Sequence, residues 1–181
     1  CEAYRRLREA GKLDGGSLEI AGYLSPAHKG YFDSIMEQMR EWGLEEEVTY
    51  HGKLDRTRKL EFLRSLDMLV IPAVYDDPKG LPVLEAMACG VPTVVPRRGT
   101  YTEFIERTGG GVLVEPDDVE ALTSALVDLA SDPDRLDELG KRGATGVRAH
   151  YTADAMATRA LAVYNRPVSY THLRAHETEA D

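Results

Sequence analysis

The chain has 181 residues, of which 43% are hydrophobic and 29% are charged, and its formal net charge is −9. This size and composition predict one soluble globular domain with a substantial core. The negative charge argues against a general nucleic-acid-binding protein, which needs a basic surface. No apolar run reaches the length of a membrane span and nothing at the start resembles a signal peptide, so a cytoplasmic location is expected.

Apolar periodicity predicts alternating helices and strands from the start of the chain. The predicted helices cover 1–10, 29–42 and 56–65, and the predicted strands cover 17–23, 48–51 and 67–73. Such alternation with short connections indicates a parallel sheet with right-handed crossovers. Because a helix precedes the first strand, the fold is expected to be truncated at its N-terminus.

The alternation continues through the second half of the chain. Strands are predicted at 92–95 and 112–114, and helices at 102–107 and 151–164. Further helices are predicted to begin at Leu81, Asp117 and Pro133. In the helix that begins at Asp117, helical spacing predicts a buried face formed by Val119, Leu122, Leu126 and Leu129.

The most informative stretch is 77–96, which has the sequence DPKGLPVLEAMACGVPTVVP. It follows a predicted strand, begins as a loop containing Pro78 and Gly80, and continues as a helix with Pro82 in its first turn. Free backbone amides and the positive end of the helix dipole are expected to face an anion, typically a phosphate, at this point. The amides concerned are those of Gly80, Leu81 and Val83.

Two carboxylates in this stretch, Asp77 and Glu85, are separated by seven residues. This spacing around Pro-Lys-Gly-Leu, followed by Glu-Ala-Met-Ala-Cys-Gly-Val-Pro, resembles the donor-site signature of the retaining family-4 glycosyltransferases. In that family both acids are glutamates, so the carboxylate of Asp77 is one methylene shorter than the pattern and its contact with the sugar is expected to differ. The structural alternative is a surface acid pair at an ordinary strand-to-helix junction.

The resemblance implies the C-terminal, donor-binding half of a GT-B fold, with a Rossmann-like parallel sheet flanked by helices. It implies that Glu85 binds the ribose hydroxyls of a nucleotide-diphosphate-sugar and that Asp77, the candidate catalytic residue, faces the transferred sugar. Gly52, in the loop after a predicted strand, would lie near the base. The residues implied to contact the sugar and diphosphate are Lys79, Gly80 and Leu81, although for Lys79 a position in solvent is the alternative. The family commonly works without a bound metal, so no metal or other cofactor is expected.

The implied reaction is the transfer of a hexose-type sugar with retention of configuration. The acceptor, a sugar, a lipid or another glycosyl acceptor, would be held by an N-terminal domain outside this chain, so the chain alone is expected to be inactive. Such acceptors are compatible with peripheral membrane association of the full protein. Two alternatives stay open: a nucleotide-sugar-binding module without catalysis, and another GT-B enzyme such as a nucleotide-sugar epimerase.

Other polar residues follow predicted strands without a strong functional pattern. His51 is expected to be a strand-end histidine with a satisfied hydrogen bond rather than a catalytic base. Arg97 or Arg98 could help to hold a phosphate, but two arginines on a loop are more often solvent-exposed.

The donor-binding domain is expected to cover 1–166. The last stretch, 167–181, reads PVSYTHLRAHETEAD and lacks an apolar period. It resembles translated sequencing-adaptor read-through, so a non-native or disordered tail is expected there. His172 and His176 have the spacing of a helical metal pair, but in this context a zinc site is not expected.

Overall fold

Helices and short parallel strands alternate along the chain. The computed structural model describes residues 1–11 and 15–165. The helices are α1 (Glu2–Glu9), α2 (Lys29–Glu41), α3 (Arg56–Ser65), α4 (Leu81–Ala88), α5 (Thr100–Thr108), α6 (Val119–Ala130), α7 (Pro133–His150) and α8 (Ala153–Tyr164). The strands are β1 (Leu18–Ile20), β2 (Val48–Tyr50), β3 (Leu69–Val70), β4 (Thr93–Pro96) and β5 (Gly111–Val114). Every predicted helix is confirmed, whereas the predicted tail at 167–181 lies outside the described residues.

Several strands are shorter than the sequence predicts. The clearest case is β3, which was predicted over 67–73 and forms over Leu69–Val70. Ile71 still donates its N–H to the carbonyl of Val94 (3.1 Å), but Pro72 has no N–H to continue the ladder. The chain then turns, with the N–H of Ala73 donating to the carbonyl of Ile71 (2.9 Å). The polar loop after β3 therefore begins early.

The strands form two hydrogen-bonded groups, one with the order β1-β2 and one with the order β3-β4-β5, and all pairs are parallel. The prediction of parallel strands flanked by helices is confirmed, and in the described residues these strands form two hydrogen-bonded groups. Helix α1 connects the two groups through its side chains. Its Leu7 packs in a cluster with Val94 of β4, while the hydroxyl of Tyr4 donates to Glu47 Oε2 (2.6 Å), next to β2.

The core lies on both faces of β4, all four residues of which are buried. Val95 packs in a cluster with side chains from α4, α5 and α7, among them Met87 and Phe104. Val94 packs in a second cluster with α1 and α6, among them Leu129. Strand β4 therefore has helices on both sides, which is the layered α/β arrangement predicted from the sequence.

Helix α6 buries Leu126 and Leu129 as predicted but differs from the sequence pattern at one position. Val119, predicted to face the core, is 40% exposed and lines a groove beside Val114, because α6 starts beyond the carboxyl end of β5. In α7 the tightest contacts are made by glycines: a Cβ at Gly140 would lie 2.1 Å from the Gly90 carbonyl oxygen. Within the described residues, no helix is both long and apolar enough to cross a membrane.

Candidate functional site

The loops that follow β3 and β4 pack against each other at the carboxyl ends of their strands. The Gly99 N–H donates to Asp76 Oδ1 (3.1 Å), and the N–H and hydroxyl of Thr100 donate to the Asp77 carbonyl (3.2 and 3.0 Å). Gly99 has φ 53° and ψ −138°, and a Cβ there would lie 2.9 Å from the Asp77 nitrogen. Only glycine therefore allows the two loops this close approach, at the edge where open α/β sheets bind ligands.

The Asp77 carboxylate binds to its own loop and to α5. Its Oδ1 accepts hydrogen bonds from the N–H groups of Lys79 (2.8 Å) and Gly80 (3.0 Å), and its Oδ2 accepts one from the Tyr101 hydroxyl (3.0 Å). The bonds from Gly80 and Lys79, followed by the bond from Tyr101, hold the pKa of Asp77 below its usual range because they favour the charged form. Burial, with a smaller contribution from Asp77, raises the pKa of Tyr101. The candidate catalytic carboxylate thus orders the loop that carries it.

The backbone amides at the start of α4 are mostly occupied within the protein. The amides of Gly80 and Val83, which were expected to be free, are bonded within the protein: Gly80 donates to Asp77 Oδ1 and Val83 donates to the Gly80 carbonyl (3.1 Å). The physical reason is that a carboxylate just before a helix is itself an anion and takes the amide that a phosphate would take. A contact between Gly80 and a donor stays a prediction. Pro82 has no N–H. Of the described backbone amides at the start of α4, the Leu81 amide is the one that bonds neither to Asp77 nor to the Gly80 carbonyl.

Gly80 is required by the fold at the N-terminus of α4. Its backbone is left-handed, with φ 56° and ψ 26°, and a Cβ there would lie 2.6 Å from Phe104 Cε2 and 2.9 Å from Thr100 Oγ1. The side where a side chain would project is therefore filled by α5. Lys79, the preceding residue, is exposed, and so is the Leu81 side chain.

Glu85 lies one turn into α4 and faces α3. Its Oε1 accepts a hydrogen bond from Lys59 Nζ at 2.5 Å, and the side chains of Glu85 and Lys59 are 39% and 41% exposed. Both residues line a cavity of about 560 Å³, which is within the size range of small-molecule sites. The other lining residues are Leu54, Arg56, Leu60, Leu63, Arg64, Ala88 and Cys89. The cavity thus combines leucines with three cations and one carboxylate.

The predicted site residues fall in three places. Asp77 and its neighbours Lys79, Gly80 and Leu81 form the loop and the start of α4, and Glu85 lies in the wall of the cavity. Gly52 lies in the loop after β2, where its carbonyl accepts the Gly22 N–H (2.9 Å). That loop reaches the cavity through Leu54 rather than through Gly52.

The contact between Lys59 and Glu85 was missed by the sequence analysis. The two residues are 26 positions apart on different helices, so no local pattern connects them. The only available signal was the accumulation of basic residues on α3, whose sequence is RTRKLEFLRS.

The other polar residues considered at strand ends have partners within the fold. His51 Nε2 lies 2.5 Å from Glu19 Oε2, so the prediction of a satisfied strand-end histidine is confirmed. The His51 contact, followed by a bond from Ser17, lowers the pKa of Glu19. The Arg98 guanidinium binds Asp117 Oδ2 (2.6 Å) and the Ala73 carbonyl (3.3 Å), so it connects the loops after β3 and β5. In the described part of the chain, no group of three His, Cys, Asp or Glu residues could hold a metal ion.

Parallel strands flanked by helices, with a polar loop-to-helix junction at their carboxyl ends, are the arrangement of the C-terminal domain of GT-B glycosyltransferases. Residues 1–145 match the family model described as "Glycosyl transferases group 1". The chain belongs to that family.

Similar proteins agree with this assignment. The lipopolysaccharide core biosynthesis mannosyltransferase LpsB from Rhizobium meliloti (strain 1021) is 28% identical over 155 residues, which are 83% of this chain and 42% of that protein. The chain spans between 34% and 42% of the length of the first such relatives.

Two solved structures show the same fold at lower identity. HepE from Anabaena, in complex with UDP, has a TM-score of 0.78 and 16% identity, covering 89% of this chain and 44% of that chain. The C-terminal domain of a group 1 family glycosyl transferase from Francisella tularensis has a TM-score of 0.74 and 22% identity. That match covers 84% of this chain and 79% of the Francisella domain, so the described fold corresponds to most of one domain.

Proposed function

We propose that this chain is the donor-binding half of a retaining family-4 glycosyltransferase and that it binds a nucleotide-diphosphate-sugar beside Glu85. The observation that carries the proposal is the position of the Glu85 carboxylate. It lies in the wall of a cavity of about 560 Å³, one turn into the helix that follows β3, in a chain of the group 1 family.

The cavity has groups that suit each part of such a donor. Leucines, among them Leu54 and Leu60, offer apolar surface for a base, and Glu85 offers a carboxylate that can accept both hydroxyls of a ribose. We expect the diphosphate to extend towards the N-terminus of α4, where the Leu81 amide lies one turn before Glu85 and the exposed Lys79 precedes it. No metal is needed in this arrangement, because amides and cations supply the positive field.

The chemistry of transfer also fits these groups. As the glycosidic bond breaks, negative charge grows on the diphosphate, and preorganised donors stabilise that charge most strongly. A carboxylate has about four lone-pair sites, and Asp77 uses three of them in its loop and with Tyr101. One site is left to contact the transferred sugar, so Asp77 can serve the loop and the sugar together.

The whole protein would transfer a hexose-type sugar to an acceptor held by another domain. The relatives are more than twice as long as the matched segment, and one of them is described as a mannosyltransferase. We expect the chain alone to bind the donor nucleotide without transferring sugar. A cytoplasmic location and peripheral contact with a membrane stay predictions for the whole protein.

A second candidate is a nucleotide-sugar-binding module without catalysis. It is favoured by one observation, the set of three hydrogen bonds that engage the Asp77 carboxylate within the protein. In that case Glu85 would still bind the nucleotide, and Asp77 would serve the loop alone.

Calorimetric titration of the 181-residue chain with UDP, GDP and ADP tests donor binding. We expect one of these nucleotides to bind and Glu85→Ala to weaken binding about tenfold or more, because a ligand hydroxyl loses its charged acceptor. Glu37→Ala on α2 is the matched control, since it removes a glutamate from a surface ion pair with Arg40. Absence of binding to all three nucleotides, or equal binding by Glu85→Ala, would contradict the proposal.

Sugar transfer needs a separate measurement. The purified chain is incubated with nucleotide-sugars of the base that binds, together with simple glycoside acceptors, and products are detected by mass spectrometry. We expect no transfer product. A product that disappears in Asp77→Asn would show that this half is catalytic without a second domain.

A further inference from the structure

Among the residues that the structure describes, the Glu85 carboxylate has one close partner, the ammonium group of Lys59. The contact of 2.5 Å joins α3 to α4, and both side chains remain about two-fifths exposed on the wall of the cavity. Because Lys59 binds Oε1, it fixes the orientation of the carboxylate without using its other oxygen. Oε2 and a second lone pair on Oε1 stay available to a ligand.

The contact between Lys59 and Glu85 affects the charge that the cavity presents to a ligand. Of the described residues that line the cavity, Glu85 is the one carboxylate, and the chain as a whole carries a formal charge of −9. A nucleoside diphosphate brings further negative charge, so an uncompensated Glu85 would repel the ligand that it has to bind. Lys59 neutralises Glu85 at the point of contact, and Arg56 and Arg64 add positive charge to the same wall.

We infer that Lys59 is a positioning residue for the nucleotide: it holds the Glu85 carboxylate towards the ribose and cancels its charge, so that the diphosphate can bind nearby. This role rests on the proposed function of the cavity. It assigns specificity for charged nucleotides over nucleosides to a lysine on α3, outside the stretch 77–96.

The experiment compares a nucleoside diphosphate with its own nucleoside. Calorimetric titrations use the full chain and the pairs UDP and uridine, GDP and guanosine, and ADP and adenosine. The variants are Lys59→Met, Lys59→Arg, Glu85→Gln, and Lys59→Met combined with Glu85→Gln. Lys141→Met on α7 is the matched control, because it removes a lysine from an exposed pair with Asp137, far along the chain from the cavity.

We expect Lys59→Met to weaken binding of the diphosphate about fivefold and binding of the nucleoside about twofold or less, as for a partly exposed ion pair. Lys59→Arg should restore most of the loss, because arginine keeps the positive charge. Adding Lys59→Met to Glu85→Gln should cause a smaller loss for the diphosphate than Lys59→Met causes in wild type, since only the direct attraction of Lys59 remains to be lost when there is no carboxylate to position. Lys141→Met should bind like wild type.

The outcomes separate this role from the proposed function. If wild type binds and Lys59→Met binds the diphosphate equally well, the role of Lys59 is overturned while the proposed function stands. Equal weakening for nucleoside and diphosphate, without recovery in Lys59→Arg, also overturns it, because a purely structural role would produce that result. If wild type binds none of the nucleotides, the proposed function fails, and the role of Lys59 fails with it.

Discussion

The two carboxylates of one short motif have different surroundings in this protein. Asp77 accepts three hydrogen bonds from its own loop and from Tyr101, whereas Glu85, eight residues later, contacts Lys59 in the wall of an open cavity. The first acid therefore belongs to the framework of the fold and keeps one lone-pair site for a ligand, whereas the second leaves more of its carboxylate accessible to a ligand. Two acids of the same sequence motif therefore have different roles in the structure.

The difference follows from the position of each acid relative to α4. Asp77 precedes the helix, where N–H groups lack intrahelical partners and attract a negative charge. Glu85 lies inside the helix, where the backbone groups are already paired, so its side chain can interact only with side chains or ligands.

The largest loss of stability is expected for Gly80→Ala, at the end of the loop that Asp77 orders. Alanine would adopt the left-handed backbone of φ 56° and place its Cβ 2.6 Å from Phe104 Cε2. We expect a loss of about 2–5 kcal/mol in the free energy of unfolding, from backbone strain together with overpacking. Urea denaturation measures this loss.

The matched control is Gly43→Ala. Gly43 also has a positive φ, of 70°, but a Cβ there would meet no atom within 4 Å. It should therefore show the backbone cost alone, about 1–2 kcal/mol. If both variants lost the same stability, α5 would not be packed against the start of α4 as described.

The next largest effect is expected for Asp77→Ala. This change leaves the N–H groups of Lys79 and Gly80 without their carboxylate acceptor and should cost about 1–2 kcal/mol, as for the loss of a helix cap. Asp76→Ala removes one bond, to the Gly99 N–H, and should cost less. Denaturation curves that place Asp77→Ala level with wild type would argue against a framework role.

The charge of Asp77 should also appear in the pH dependence of stability. Its pKa in the folded state lies below the ordinary value of 3.8, so its stabilising contribution is complete above pH 3.8 and is lost as the pH falls through the lower folded value. Asp77→Asn removes this titration. The difference in unfolding free energy between wild type and Asp77→Asn should therefore shrink between about pH 7 and about pH 3. A constant difference would show that the carboxylate is not stabilised in its charged form.

The sequence predicts the strand, loop and helix that form the site, but not the contacts between residues that are far apart in the chain. Strand, loop and helix around 77–96 follow from apolar spacing and from Pro78, Gly80 and Pro82, which act locally. The bond from the Gly80 amide to Asp77 is local, because donor and acceptor are three positions apart. The second contact of the carboxylate could not be predicted in this way, because Tyr101 is 24 residues further along the chain. The reason for glycine at position 80 is likewise the packing of Phe104, which only the folded structure shows.

The same limit applies to the sheet and to α7. Alternation of helices and strands predicts parallel strands, but pairing between β1 and β3 depends on which edges meet in space. In α7, apolar spacing draws attention to Leu136 and Leu139, which are half-buried, while Gly140 and Gly143 make the closest approaches. A glycine that packs against backbone has no apolar side chain to reveal it.

The smallest effect on stability is expected for Glu85→Ala. This small loss distinguishes Glu85→Ala from Asp77→Ala. The lost contact with Lys59 is a partly exposed ion pair, so the unfolding free energy should change by less than about 1 kcal/mol. The same variant should lose nucleotide binding, because Glu85 faces the cavity. If instead Glu85→Ala lost as much stability as Asp77→Ala, Glu85 would belong to the framework as well. Its loss of nucleotide affinity could then come from a weakened α4 rather than from a lost contact with the ligand. Stability and affinity therefore have to be measured on the same preparations of both variants. The structure predicts that Asp77→Ala loses more stability and that Glu85→Ala loses more nucleotide affinity.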